Sequence, residues 1–201
     1  MDTQLQSLPS PVTILDGYIT QGETTIIMKC HDRTFKTVTI LTSDNRPLFT
    51  VDGKGSGSIS WQRTIRGTDG VALFDLRHPN WGMKNLWTVK RPSGRDLCSL
   101  KHVEFLGKAR SALDMTVFNE SDIGAEVMVK IQPKDASALT TVVRVGEVAI
   151  AEIRIVEDND VIDLTGKDRT VWQARIAGGI DLGLIVVAML CRAEMNHVWR
   201  Q

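Results

Sequence analysis

Leu182-Gly-Leu-Ile-Val-Val-Ala-Met-Leu-Cys191 is apolar on every side. A helix with no polar face must be buried all round or lie in a membrane. The run is too short for a bilayer, which takes about 20 apolar residues. What precedes it reads as β-hairpins. The solution that satisfies both is a helix enclosed by the protein's own sheet. The chain is therefore expected to be mainly β, a closed antiparallel barrel of about twelve strands around a buried C-terminal apolar helix.

The pieces next to this run agree. Gly178-Gly179 interrupts the preceding strand pattern, and Asp181 stands where an N-cap carboxylate would accept the first free helix N–H groups. The helix is expected from Leu182 to Met195. Arg192 and His197 lie near its C-terminus, where positive charge is favoured. The pattern becomes amphipathic after Cys191, so this end is expected to emerge from the barrel.

Working further out, a repeated phrase fills the first half. Thr42-Ser-Asp-Asn-Arg-Pro-Leu-Phe-Thr-Val51 is a turn followed by a strand. Gly67-Thr-Asp-Gly-Val-Ala-Leu-Phe-Asp-Leu76 and Pro92-Ser-Gly-Arg-Asp-Leu-Cys-Ser-Leu100 repeat it. Leu48, Leu73 and Leu97 head equivalent segments, 25 and 24 residues apart. A weaker echo is Val145-Gly-Glu-Val-Ala-Ile-Ala-Glu-Ile153. Turn residues joined to apolar-polar alternation mark hairpins with one buried face, and their regular spacing means a meander. Strands are expected at Thr24–Lys29, Lys36–Thr42, Leu48–Asp52, Ser58–Arg66, Ala72–Arg77 and Leu86–Lys90. They continue at Leu97–His102, Asp114–Asn119, Ala125–Ile131, Thr140–Val145, Ala149–Val156 and Thr170–Ile176.

Composition bounds the function. The 201 residues suit a single domain, with a core at about 24–195 and a polar N-terminal tail at 1–11. Lys plus Arg balances Asp plus Glu at 24 each, which argues against nucleic acid as a partner. The three cysteines, Cys30, Cys98 and Cys191, form no CxxC pair, so no metal site and no disulfide framework is expected. The N-terminus has no apolar core of signal-peptide length, and the expected setting is cytoplasmic.

The residues Thr37-Val-Thr-Ile-Leu-Thr-Ser-Asp-Asn-Arg-Pro-Leu-Phe-Thr-Val-Asp-Gly53, then Arg66-Gly-Thr-Asp-Gly-Val-Ala-Leu-Phe-Asp-Leu76, then Leu86-Trp-Thr-Val-Lys90 occur in a telling order. With the closing strand Val171-Trp-Gln-Ala-Arg-Ile176 and the apolar helix, the chain resembles the tubby C-terminal-like superfamily, and within it the LURP-one-related proteins. The resemblance runs from about Thr24 to Met195. It implies a twelve-stranded antiparallel barrel around a buried helix. Tubby domains bind phosphoinositide head groups, and related scramblases act at membranes. The resemblance thus implies a non-catalytic module binding an anionic lipid head group, a small molecule or a protein partner. The chain departs from the scramblases in lacking a membrane-spanning segment. It departs from tubby in lacking a dense Lys/Arg run.

Catalytic signatures are few. There is no GxSxG elbow, P-loop or HExxH. Gly53-Lys-Gly-Ser-Gly57 is glycine-rich, but no helix pattern follows it, so a hairpin loop is the better account than a phosphate cradle. No cofactor is expected. The best binding candidate is His78-Pro-Asn-Trp-Gly-Met-Lys-Asn-Leu-Trp87, a connection that carries Trp81 and Met83. Trp87 falls in strand alternation and reads as core. His78 and His102 end corresponding repeat strands, with Asp75, Lys101 and Glu104 beside them. Aligned on one rim, the two histidines would serve acid–base chemistry. That is the alternative reading: a small cofactor-independent enzyme of specialised metabolism, of isomerase or cyclase type, with His78 and His102 catalytic. A loose basic set of Lys84, Lys90, Arg91, Arg95, Lys101, Lys108 and Arg110 is the candidate anion face, with Lys90, Arg91 and Lys101 at its centre. Solvated strand ends and scattered surface charge account for these same polar residues without any ligand. Asp163 and Asp168 flank Thr165-Gly166 and read as a turn.

Overall fold

The structure is a computed structural model that describes residues 2–32, 35–53, 61–78, 86–105, 108–120, 122, 125–135, 138–159 and 168–198. Its strands are β1 (Thr24–Cys30), β2 (Thr37–Thr42), β3 (Pro47–Gly53), β4 (Trp61–Arg66), β5 (Ala72–His78) and β6 (Leu86–Lys90). They continue as β7 (Asp96–Phe105), β8 (Lys108–Phe118), β9 (Glu126–Pro133), β10 (Thr140–Val145), β11 (Val148–Asp158) and β12 (Thr170–Ile176). One helix, α1 (Leu182–Val198), follows.

Each strand pairs antiparallel with the next in sequence, and β12 closes on β1 with Thr24 opposite Ile176 and Cys30 opposite Thr170. The twelve-strand barrel around a C-terminal helix is thus the observed fold. Closure leaves no edge for another chain to pair with. All twelve expected strands exist. The largest boundary difference is β8, which starts at Lys108 rather than Asp114. Its partner β7 extends to Phe105, so the pair carries a longer ladder than the alternation alone marks.

Strand alternation puts one apolar row inside. Phe74 and Leu76 of β5, Val89 of β6, Cys98 and Leu100 of β7 and Leu113, Met115 and Val117 of β8 are all fully buried. They pack on α1, in which every residue from Leu184 to Met195 is buried. The helix stays buried from Arg192 to Met195, where the amphipathic pattern predicts exposure. Arg192 stays inside because its Nε donates to Thr141 Oγ1 at 3.0 Å and its Nη2 to the Ala138 carbonyl at 3.1 Å. Those bonds offset the cost of burying a guanidinium. Among the described residues, no helix is long and apolar enough to cross a membrane.

The start of α1 is anchored from both sides. Gly179 takes a φ of +77°, which lets the chain turn sharply out of β12. Asp181 Oδ1 accepts from the Gly183 N–H at 2.7 Å, the expected cap. Its other oxygen accepts from the N–H groups of Ile14 and Leu15, at 2.6 and 2.7 Å. Val12, Ile14 and Leu15 thereby join the core and close this end of the barrel. Residues nearer the N-terminus run along the wall, where the Thr3 N–H donates to Glu152 Oε2 at 3.0 Å.

Candidate functional site

The helix fills the barrel, so a ligand must meet the protein at a rim or on the outer wall. Antiparallel order sorts the rims. At one, the N-terminal segment meets the start of α1. At the other, β5 and β7 end, β6, β8 and β12 begin, and α1 arrives with its C-terminal half. Seventeen helical residues span about 25 Å, enough to cross the barrel.

This second rim carries an inward-facing polar cluster. His78 lies two residues beyond the buried Leu76, and Trp87 two before the buried Val89, so both share the interior face. Their rings meet with centroids 4.8 Å apart. The indole Nε1 of Trp87 donates to Glu194 Oε2 of α1 at 2.6 Å. Arg63 of β4 sits on the interior row with Ile65 and is 3% exposed; its Nη1 donates to the Gln62 carbonyl at 2.9 Å. His102 of β7 continues the interior row of Leu100 and is buried at the same rim.

Burial sets the electrostatics. It pushes the Glu194 carboxyl up to about 7, while the Trp87 hydrogen bond and the charge of Arg63 act in the opposite sense. Desolvation likewise pulls the Arg63 guanidinium below its ordinary value, against the attraction of Glu194 and Asp32. The result is a cation facing a carboxyl that changes charge near neutrality. Such an arrangement suits the recognition of an anion, or the exchange of a proton.

The residues read from sequence fall in three groups. His78, His102 and Trp87 share the rim just described. Trp81, Met83, Lys84, Asp163, Thr165 and Gly166 lie outside the described residues, as do the side chains of Glu104, Lys108 and Arg110. Lys90, Arg91 and Lys101 are not one cluster. Lys90 pairs with Asp96 at 3.1 Å, and Arg91 with Glu120 at 3.3 Å, by the turn between β6 and β7. Arg95 shares Glu120 at 3.4 Å. Lys101 is exposed five residues along β7 from Asp96, roughly 17 Å away at strand rise. Asp75 faces outward, bonded to Thr64 at 2.7 Å and Arg77 at 3.1 Å. Cys30, Cys98 and Cys191 are buried and not disulfide-bonded, and burial pushes the Cys98 and Cys191 thiols well above the ordinary range.

Arg63 and Glu194 were not singled out by the sequence. Arg63 sits in Trp61-Gln-Arg-Thr-Ile-Arg66, where its inward parity with Ile65 is the one available signal. Glu194 follows Arg192 in what looks like a solvated helix end. At the opposite rim, the described residues form an apolar groove of about 370 Å³ lined by Pro47, Phe49, Thr50, Gly67, Thr68 and Gly70. None of the residues named above enters it.

Comparison with known proteins supports this architecture. A protein of Arabidopsis thaliana solved by X-ray crystallography is similar to the chain, at 16% identity and a TM-score of 0.63. The likeness covers 93% of this chain and 99% of that one, and at such identity it speaks to the fold. Comparison with curated proteins gives no match. A sequence model of the LURP-one-related family matches residues 24–193, from the first residue of β1 to the last turns of α1. With the barrel, the enclosed helix and this match over most of its length, the chain belongs to the LURP-one-related family.

Proposed function

We propose that this chain is a binding module that takes an anionic head group, without catalysis there, at the rim reached by the C-terminal half of α1. The observation that carries the reading is Arg63, a guanidinium held on the inward face beside Glu194, whose carboxyl binds a proton near pH 7. Protonation of Glu194 removes one of the two carboxylate charges that attract Arg63, the other being Asp32, and so favours an incoming anion. His78 and His102 add two groups able to donate to phosphate oxygens. The indole of Trp87, packed on the His78 ring, fixes the geometry of both. Family membership supports a binding role at a coarser level.

The test is co-sedimentation with phosphatidylcholine vesicles, with and without a phosphoinositide, at pH 6 and pH 8. The reading expects phosphoinositide-dependent binding that is stronger at pH 6, is competed by a soluble inositol phosphate and is lost in Arg63→Gln. Glu194→Gln should bind alike at both pH values. Binding that ignores the phosphoinositide, or survives Arg63→Gln unchanged, contradicts the reading.

One observation favours a second reading. A carboxyl that burial raises to about 7, bonded to the indole that packs on His78, suits general acid–base catalysis at neutral pH. On that reading the rim belongs to an isomerase or cyclase. Turnover in a substrate screen that is lost in Glu194→Gln and in the His78→Ala, His102→Ala pair would favour it.

A further inference from the structure

On the outer wall beside this rim, β1, β2 and the residues leading into β12 bring together three side chains in a line. Asp168 Oδ1 lies 2.7 Å from His31 Nδ1, and His31 Nε2 lies 2.8 Å from Thr39 Oγ1. The backbone fixes all three positions. The His31 N–H donates to the Thr37 carbonyl at 3.0 Å, and the Arg169 N–H to the Cys30 carbonyl at 2.8 Å. Cys30 is paired on both sides, with Val38 of β2 and Thr170 of β12. The register also puts Lys29 directly across from Thr39, with its Nζ 3.9 Å from Asp168. The imidazole is 37% exposed and the carboxylate 26%, so a small molecule can reach the line from solvent.

We propose that Thr39 is a nucleophile toward activated acyl esters, with His31 as its base and Asp168 as the group that positions the imidazole. A carboxylate on Nδ1 selects the neutral tautomer that carries its proton there. The Nε2 lone pair then faces the Thr39 hydroxyl. Thr39 Oγ attacks the ester carbonyl carbon as its proton passes to His31 Nε2. The tetrahedral centre collapses, the bond to the leaving oxygen breaks, and His31 returns the proton to the departing alcohol. Water then adds to the acyl-threonine through the same base. The products are the carboxylic acid and free Thr39, so ester plus water yields acid plus alcohol.

The wall differs from a dedicated hydrolase in one respect. Backbone N–H groups of β2 are engaged by β1 and β3, with Thr39 paired to both Lys29 and Thr50. Among the described residues these strands leave no pair of free amides for the developing oxyanion, and the cation nearest in register is Lys29, opposite Thr39. Acylation is therefore expected to outpace deacylation, and the acyl-threonine should accumulate with a good leaving group.

The full chain incubated with p-nitrophenyl acetate at pH 7.5 tests the proposal. A burst of nitrophenolate is expected, and peptide mapping should recover one acetyl group on Thr39. Thr39→Val and His31→Gln should lose the burst, by on the order of 100-fold for removal of a general base. Thr39→Ser should retain it. Asp168→Asn should slow it and change its pH profile, an effect that a purely structural role would not produce. Thermal melts of the variants should match the parent, because the wall residues are partly exposed. Acetyl recovered on Lys29 or on His31 alone, or a burst in Thr39→Val equal to the parent's, overturns the proposal.

Discussion

Asp181 Oδ2 and the backbone N–H of Leu15 lie 2.7 Å apart, across 166 residues of sequence. The same oxygen takes the N–H of Ile14, and the other oxygen caps α1 at Gly183. One carboxylate thus joins the N-terminal segment to the start of the enclosed helix. Replacing it orphans several buried donors at once. Asp181→Ala should cost about 1 kcal/mol for the cap and about 1–3 kcal/mol for the stranded amides. Asp181→Asn, which keeps one acceptor oxygen, should cost less. Denaturant titration followed by circular dichroism checks the order. Equal stability of the parent and Asp181→Ala would contradict it.

Gly183 is tight for a related reason. A Cβ there would lie 2.6 Å from Leu15 Cδ1 and 3.0 Å from its Cγ. Leu15 is buried and has little room to yield. Gly183→Ala should therefore destabilise by about 1–3 kcal/mol, partly offset by alanine's helix preference of about 1 kcal/mol. In a Leu15→Ala background the clash is gone, so adding Gly183→Ala should be neutral or stabilising. A double-mutant cycle measures the difference. Additive effects would show that the two side chains do not compete for space.

Two buried acids give the fold a specific pH dependence. Asp181 is raised from 3.8 to about 6 and Glu194 from 4.5 to about 7, both chiefly by desolvation. In each case the folded state binds its proton at higher pH than the unfolded chain does. The stabilisation from these protons is full below about pH 4 and is lost as pH rises through 6 and 7. Asp75 and Glu152 run the other way. Their hydrogen bonds hold them below the ordinary range, so their contribution is present above about pH 4 and is lost in acid. Melting temperature should rise from pH 8.5 to pH 5.5, then fall in stronger acid. Glu194→Gln should flatten the upper part of the curve. A melting temperature that falls steadily from pH 8.5 to 5.5 would contradict this assignment.

What the sequence made legible follows from the range of each interaction. The apolar run from Leu182 to Cys191 needs no partner to be read, because a helix without a polar face has few places to go. The hairpin phrases are local, with turn and strand in one stretch. Arg192 and Glu194 resist reading because their partners, Thr141, the Ala138 carbonyl and Trp87, come from other parts of the chain. Without those partners, two charges at a helix end look like a solvated face. Asp181 was legible as a cap. Its hold on Ile14 and Leu15 was not, since nothing in Val12-Thr-Ile-Leu15 distinguishes a plug from a linker. His78 and His102 were legible as neighbours on one rim because the hairpin register is regular, although only His78 ends its strand and β7 runs on past His102 to Phe105. The line of Asp168, His31 and Thr39 was not, since barrel closure brings the first and last strands together across 137 residues.

The indole N–H of Trp87 offers the most direct test of the rim site. It donates to Glu194 and sits beside His78, whereas the indole of Trp172 on the opposite wall donates to Thr170 Oγ1 at 3.2 Å. Both should give distinct signals in a proton–nitrogen correlation spectrum, assigned with Trp87→Phe and Trp172→Phe. Titration with inositol hexakisphosphate at pH 6.5 should shift the Trp87 signal in a saturable way and leave that of Trp172 in place. The shift should be absent in Arg63→Gln. A spectrum in which neither indole moves at saturating inositol phosphate, or in which Trp87 moves equally in Arg63→Gln, would contradict an anion site at the rim reached by the C-terminal half of α1.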